Sequence, residues 1–363
     1  MPIGPDAPAL LAMPGNLLTP FNTGTVEDTK AEIQRQKADG ADFIKIGLVS
    51  PTAFYVAIAE AHRVGLSAVG HLQEGVDPAQ ASRSGFNGIE HLGPGDTVWI
   101  GCSTQEAALL KEAAERPAIK APPFKIPFLE RIVMHQLETR LINPAAFDDP
   151  VNVQRLQRAL DSYDDSKCRS LGAQFIKDTT WQTPTLVRLR TQYLADDPAY
   201  QSDPALAYQP KAATKAWRKV LDRFRKLPAS MRQTYRVAYQ GQLKLTKLFA
   251  DQGVPMMAGT DGGGVVPGQS LHQEFDELAK AGLSPLKILQ MTTLNGAQFL
   301  GRTATMGSVE VGKTADLVLL DANPVATVHN LHGISGVVRA GRYYSRADLD
   351  RLKQRVVSGD GRF

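Results

Sequence analysis

The chain has 363 residues, 43% of them hydrophobic and 21% charged, with a net charge of +4. That is the profile of a globular protein long enough for two domains or one large barrel with an appendage. So small a charge, carried by scattered basic residues, argues against a nucleic-acid partner, and without an 18-residue apolar run there is no membrane-spanning helix.

The N-terminus, Met1-Pro2-Ile3-Gly4-Pro5-Asp6, has neither a basic n-region nor an apolar h-region. As written, the chain reads as soluble and cytoplasmic by default. Only Cys102 and Cys168 occur, which excludes a disulfide framework or thiolate zinc site but leaves room for one bridge. In chain order, Ala9 to Met13 (ALLAM) is expected to be a buried strand before Pro14-Gly15. Thr25 and Asp28 resemble a capping box opening a helix that Gly40 closes. Ser50 and Pro51 open a second helix ended by Gly65, and Asp77-Pro78 with Gly85 bracket a third. This β-α rhythm favours a parallel sheet or barrel.

From Ser103 to about Leu171 the pattern turns helical and loop-like, with a break at Pro122-Pro123. Gly172 is expected to restart the rhythm with a strand over Ala173 to Ile176, and Thr183 to Leu186 gives another strand end. A polar, helix-prone insertion over 192–251 exceeds an ordinary connection and reads as a lid, an outer cover or a plain surface excursion. Its basic run, Lys215 to Lys226, reads as a solvated helix face. Gly253 to Asp261 is the last strand of the series. Ser284 and Pro285 open a helix to about Leu300. Residues 305–345 look like a small β appendage, followed by a surface helix in 346–363. The resulting division is a barrel over 1–304, with insertions near 103–171 and 192–251, and then the β part and the tail.

Between Gly40 and Gly93 the same event occurs three times: a glycine ends a helical run, a short apolar strand follows, and one ligand-type residue appears. These residues are Lys45, His71 and His91. Parallel strands joined by right-handed crossovers put their carboxyl ends on one face. The three residues, with Asp261 after the last strand, should therefore converge where α/β barrels carry active sites. Imidazole and carboxylate together suit zinc, manganese or iron. A lysine ammonium repels a cation, but a carbamate formed from it would offer oxygen instead. Among the other histidines, His62 reads as a helix-end residue, and His135, His329 and His332 have no partner pattern. His272 reads equally as a helix-start residue and as a site-edge residue touching substrate. Tyr193, Tyr200 and Tyr208 read as packing residues before pocket residues.

The motifs FIK, GH, IEH and AGTDGG, followed by SLHQEFDELAKAGLSPLKILQMTTLNGAQFLG and GSVEVGKTADLVLLDANP, resemble those of the amidohydrolase superfamily. The imidazolonepropionase-like and prolidase-like branch is the nearest. The resemblance runs from about Pro8 to about Arg346. It implies a distorted (β/α)8 TIM-barrel-like metal-dependent hydrolase fold with a small β-sandwich beside it, holding one or two divalent ions. Zinc is the first choice of metal, with manganese or iron as alternatives. Lys45 resembles the carboxylated lysine of the fourth strand, a CO2-derived carbamate. His71 and His91 resemble the metal histidines of strands five and six, and Asp261 the strand-eight aspartate that binds metal and relays a proton. The implied substrates are small amides, N-acyl compounds, cyclic amides or dipeptides.

The sequence departs from that family by containing no His-x-His pair, the mark of the first barrel strand. By order, ALLAM should be strand three, so strands one and two and the N-terminal half of the small sandwich are expected to be missing. An incomplete barrel has open edges and must close differently, pair with a second protomer or be marginally stable. Two functional expectations follow: a hydrolase with a mononuclear site, or an N-terminally truncated and catalytically incompetent relative. A misassigned start would leave localisation open.

Overall fold

The structure is a computed structural model and describes residues 10–93, 95–116 and 139–358. The Pro122-Pro123 break and His135 lie outside the described residues.

Three β-α units open the fold as expected. Thr25 and Asp28 form a reciprocal capping box at α1 (Val26–Ala38). Ser50 caps α2 (Pro51–Arg63) and Asp77 caps α3 (Pro78–Arg83), each with proline in the first turn. Gly40, Gly65 and Gly85 follow these helices at φ +88, +73 and +87, the left-handed exit that glycine adopts without a Cβ penalty. Strands β1 (Phe43–Ile46), β2 (Ser67–Gly70), β3 (Gly88–Glu90) and β4 (Trp181–Thr183) pair in parallel in chain order. Single parallel bridges extend this sheet at both edges: Pro14 with Phe43 and Leu18 with Ile46 on one side, Gln182 with Met256 on the other. Six parallel segments therefore follow one another, with the helices packed over them. Ile44, Ile46, Ala68 and Ile89 of the strands are buried in one core with Phe54, Ile58 and Phe86.

Four expectations about the elements are corrected. The first segment runs over Pro14 to Leu18, not ALLAM: Gly15 and Leu18 donate to Phe43 and Lys45 carbonyls, both at 2.9 Å, while Leu10 is 65% exposed. Ala173 to Ile176 lie inside a helix capped by Asp164, because Gly172 serves helix packing instead of ending an element. A Cβ there would meet Gln252 Oε1 at 2.3 Å. The last strand is reduced to the bridge at Met256. The helix from Ser284 breaks at Thr293, whose φ of −124° and ψ of −79° are not helical.

Further α-helices among the described residues are α4 (Thr97–Gly101), α5 (Glu106–Ala114), α6 (Pro150–Asp161), α7 (Asp165–Lys177), α8 (Leu186–Tyr193), α9 (Pro198–Gln201), α10 (Lys211–Arg225), α11 (Ala229–Gln252), α12 (Ser270–Lys280), α13 (Pro285–Thr292), α14 (Leu294–Phe299) and α15 (Arg346–Ser358). In the second insertion, α11 packs against α6, α7 and α8 and buries Tyr235, Tyr239 and Phe249. Tyr193 stacks on Tyr235 with ring centroids 5.1 Å apart, and Tyr200 meets Trp217 edge-on. Strands β5 (Leu317–Leu320), β6 (Ile334–Arg339) and β7 (Arg342–Ser345) form a small antiparallel sheet. No helix among the described residues is long and apolar enough to cross a membrane.

Cys102, at the end of α4, is bridged to Cys168 of α7 across a separation of 66 residues. Closing a loop of that size removes enough freedom from the unfolded chain to stabilise the fold by about 4 kcal/mol. Replacing both cysteines by alanine is therefore expected to lower the unfolding free energy by about that amount, measured by urea titration. Equal midpoints for the two proteins under non-reducing conditions would exclude a stabilising bridge.

Candidate metal centre

Four strand exits carry the centre, and each is bent by its backbone. Lys45 lies on β1 between the buried Ile44 and Ile46. His71 follows Gly70, whose φ of +133° no side chain tolerates here: a Cβ would meet the Ile46 carbonyl oxygen at 2.1 Å. The His71 N–H then donates to that same carbonyl at 3.0 Å. Gln73 fixes the loop beyond, donating to the Gly47 and His71 carbonyls, both at 2.8 Å. His91 follows β3 at φ +60 and donates its N–H to Thr183 at 2.8 Å. Thr185 and Asp261 leave their strands at φ +47 and +55.

Successive strand residues face opposite sides of a sheet. The left-handed turn at His91 breaks that alternation, so Glu90 and His91 both face the centre. His71 Nε2 and His91 Nε2 stand 3.2 Å apart. Glu90 Oε2 is 3.7 Å from the first and 3.9 Å from the second, and Asp261 Oδ2 is 3.7 Å from His91 Nε2. Lys45 Nζ forms an ion pair with Glu90 Oε2. The structure thus brings together Lys45, His71, His91 and Asp261, and adds Glu90. Two imidazoles and two carboxylates form a donor set suited to zinc, manganese or iron.

Protonation favours the same use. The Thr185 hydroxyl donates to the Pro184 carbonyl at 2.8 Å, so its oxygen accepts from His91 Nδ1 at 2.6 Å. This fixes the tautomer with its proton on Nδ1 and leaves the Nε2 lone pair pointing into the centre, the usual outer support of a ligating histidine. Burial lowers the pKa of His71, against the pull of Glu90. Burial lowers His91 well below the ordinary value, with His71 adding to the effect. Both rings are therefore neutral, as metal ligands must be. Burial tends to raise the Asp261 carboxyl, but the charges of Arg188 and Lys45 and the Gly262 N–H work against it, and the carboxyl is held below the usual range.

Glu90, Thr185 and Arg188 were not among the site residues expected from the sequence. Glu90 carried a signal in the IEH motif, but on a regular strand it would face away from His91, and nothing in the sequence marks the turn that brings both to one side. Arg188, 2% exposed, reaches Asp261 Oδ2 at 3.2 Å while donating to the Leu141 and Ile142 carbonyls. Nothing in its local sequence marks it. His272 is not brought to the centre. Its ring packs against Phe275 and stands 5.2 Å from that of His332. His332 and His329, which showed no partner pattern, line a cavity of about 280 Å³ with Asp321, and His332 bonds Asp276 at 3.0 Å.

The amidohydrolase family model matches residues 229–343. An imidazolonepropionase of Shouchella clausii is 31% identical over 104 residues, 26% of this chain and 23% of that protein. A 5'-deoxyadenosine deaminase of Methanobrevibacter smithii is 44% identical over 54 residues, 15% of this chain and 12% of the relative. Among solved structures, a bottromycin amidohydrolase is similar with a TM-score of 0.64 at 20% identity, over 92% of this chain and 62% of its own. A Xaa-Pro dipeptidase with bound methionine has a TM-score of 0.52 at 17% identity, over 88% of this chain and 58% of its own. The alignments span less than a quarter of these curated relatives and about three-fifths of these structures. The structural likeness concerns the fold alone, and there the parallel α/β architecture agrees with the expected barrel class.

Behind the centre, Glu274 of α12 holds the helix that carries Arg188. The Thr185 hydroxyl is engaged with His91, so the N-cap of α8 makes no side-chain bond of its own. Glu274 replaces it, accepting from Leu186 at 3.1 Å and Val187 at 2.7 Å. Burial pushes this carboxyl up to about 8, with the two N–H groups pulling against that rise and Glu277 adding to it. A carboxyl whose folded pKa exceeds its unfolded value contributes stability that is complete below the unfolded pKa, 4.5, and is lost as pH climbs toward 8. Between those limits stability should fall by up to about 1.4 kcal/mol per pH unit. Urea unfolding at a series of pH values should show this slope, and Glu274→Gln should flatten it. An unchanged slope in the variant would exclude Glu274 as its source.

Proposed function

We propose that this chain, whose residues 229–343 match the amidohydrolase family model, is a metal-dependent hydrolase of C–N bonds in small molecules. The substrate class is an amide, N-acyl compound, cyclic amide or dipeptide. One observation above all supports this reading: two neutral imidazoles with inward Nε2 atoms and two carboxylates meet at the carboxyl ends of parallel strands.

His71 and His91 would hold the ion, with Asp261 at its edge. When bound there, a divalent ion acts as a Lewis acid on the scissile carbonyl and lowers the pKa of water. Asp261 is ionised and its side chain is 42% exposed, so it is reachable from solvent. Its Oδ2 accepts the proton of the attacking water and returns it to the leaving nitrogen. Arg188 keeps Asp261 in place and charged, and Thr185 holds His91 in the ligating tautomer. The anionic oxygen donor beside the histidines has two candidates. One is the CO2-derived carbamate on Lys45 that the resemblance implies, and the other is Glu90. Zinc is the proposed metal, with manganese or iron compatible with the same donors. The rival reading, a chain without a competent centre, draws on the lack of any His-x-His pair.

Elemental analysis of the purified chain in bicarbonate buffer is expected to find about one divalent ion per chain, the number this single donor set can hold. His71→Ala and His91→Ala should each abolish it. Asp261→Asn should cut kcat/KM on N-acyl amino acids or dipeptides by roughly 100-fold or more, the scale of lost general acid-base catalysis. A wild-type chain still empty after reconstitution would decide for the rival reading.

A further inference from the structure

We propose that His272, His329 and His332 form a second metal site, one that takes a divalent transition ion and clips the β appendage to α12. It is independent of the centre at the strand exits and of the reaction proposed there.

Local geometry assembles the three rings. His329 and His332 lie on the 3-10 helix Val328–His332, in which residues three apart eclipse one another, so both rings leave on one side. That helix packs against α12, where His272 and Asp276, four residues apart, share a face. The ring centroids of His272 and His332 stand 5.2 Å apart, and those of His329 and His332 5.8 Å apart. Two imidazoles on one ion, each bound at about 2.0–2.1 Å and at a tetrahedral angle, hold their centroids roughly 5 Å apart. The rings of His71 and His91 stand at a similar 5.1 Å.

The polar atoms also call for a ligand. His272 Nδ1 is shut off from water and has no hydrogen-bond partner, the one imidazole nitrogen so placed among the described residues. Buried polar atoms are seldom left in that state. His332 Nε2 stands 3.0 Å from Asp276 Oδ1. The carboxylate oxygen accepts, so in the neutral ring the proton sits on Nε2 and Nδ1 keeps its lone pair. That is the outer support a ligating imidazole uses. His329, His332 and Asp321 line one cavity of about 280 Å³, which offers room for an ion and a carboxylate as a further donor. Imidazole-rich donors select zinc, copper or nickel over calcium or magnesium.

The ring nitrogens are not yet gathered. Among the described residues, His71, Glu90 and His91 are the one such group whose ligand atoms all lie within 4.8 Å of one another. Rotation about the Cβ–Cγ bonds, a soft torsion in histidine, closes the second set without moving the backbone. Donors that must be ordered on binding give a weaker site than donors already in place. Purified protein therefore keeps the ion of the centre, and the second ion enters on titration.

The test is calorimetric titration of zinc chloride into the full chain. Two events are expected, each with a stoichiometry near one, the second weaker by roughly tenfold or more. His329→Gln and His332→Gln should each weaken the second event by at least about 10-fold, the scale of losing even an outer partner of a ligand, and leave the first unchanged. His71→Ala should remove the first event and leave the second. A single event that His71→Ala abolishes would overturn the proposal, as would a second event of equal affinity in both glutamine variants. A second event without the first would uphold it while the hydrolase reading fails. Oxidation of the wild-type chain by copper and ascorbate, mapped by mass spectrometry, needs no variant, so misfolding cannot obscure the answer. It should mark His272, His329 and His332 and spare His62. Marks confined to His71 and His91 would overturn the site.

Discussion

The centre depends on a backbone constraint repeated at three strand exits. His91, Thr185 and Asp261 all occupy the left-handed region although none is glycine. Each placement costs on the order of 1–2 kcal/mol and persists only because the surroundings hold it. At His91 the holding contact is the N–H bond to Thr183 on the neighbouring strand, and at Asp261 it is the Gly262 N–H on Oδ1 at 2.6 Å. These turns stop the strands and rotate polar side chains into a space that a continued strand would have filled with alternating neighbours.

From that constraint a line of dependence runs outward. Thr185 uses its hydroxyl on His91, so it leaves the first turn of α8 without a cap. Glu274, from a helix far along the chain, supplies the cap and is fully buried in doing so. The helix it secures carries Arg188, whose guanidinium is taken out of water and satisfied by two carbonyls and Asp261. A buried charge left without partners would cost several kcal/mol, so these groups stand or fall together. The reactivity of one exposed carboxylate is thereby tied to groups two layers behind it.

Much of this order was legible in the sequence because it is written locally. Helix caps lie within three residues of what they cap, and Gly40, Gly65 and Gly85 mark exits that require positive φ. The rhythm they set was enough to predict that Lys45, His71, His91 and Asp261 would meet. What stayed hidden has one of two physical causes. Glu90 and the helix over Ala173 to Ile176 depend on local exceptions, a broken alternation and a glycine that packs a helix against α11 instead of ending an element. Arg188 and Glu274 depend on partners 73 and 88 residues away, and a buried Arg or Glu looks in sequence like any solvated one. The apolar run ALLAM misled because hydrophobicity alone does not make a strand: Leu10 and Leu11 are exposed, and the pairing begins only at Met13, whose carbonyl accepts from Asp42, and continues at Gly15 and Leu18.

The bridge between Cys102 and Cys168 also turns the residues between them into a closed covalent ring that includes α5, α6 and the first turn of α7. A single peptide-bond cut anywhere inside that ring leaves one molecule, not two fragments. The strands bearing Lys45, His71 and His91 lie before the ring, and Arg188 and Asp261 lie after it. The nicked protein would keep both halves of its centre tethered through sulfur, and they would separate only when the nick and a reductant act together.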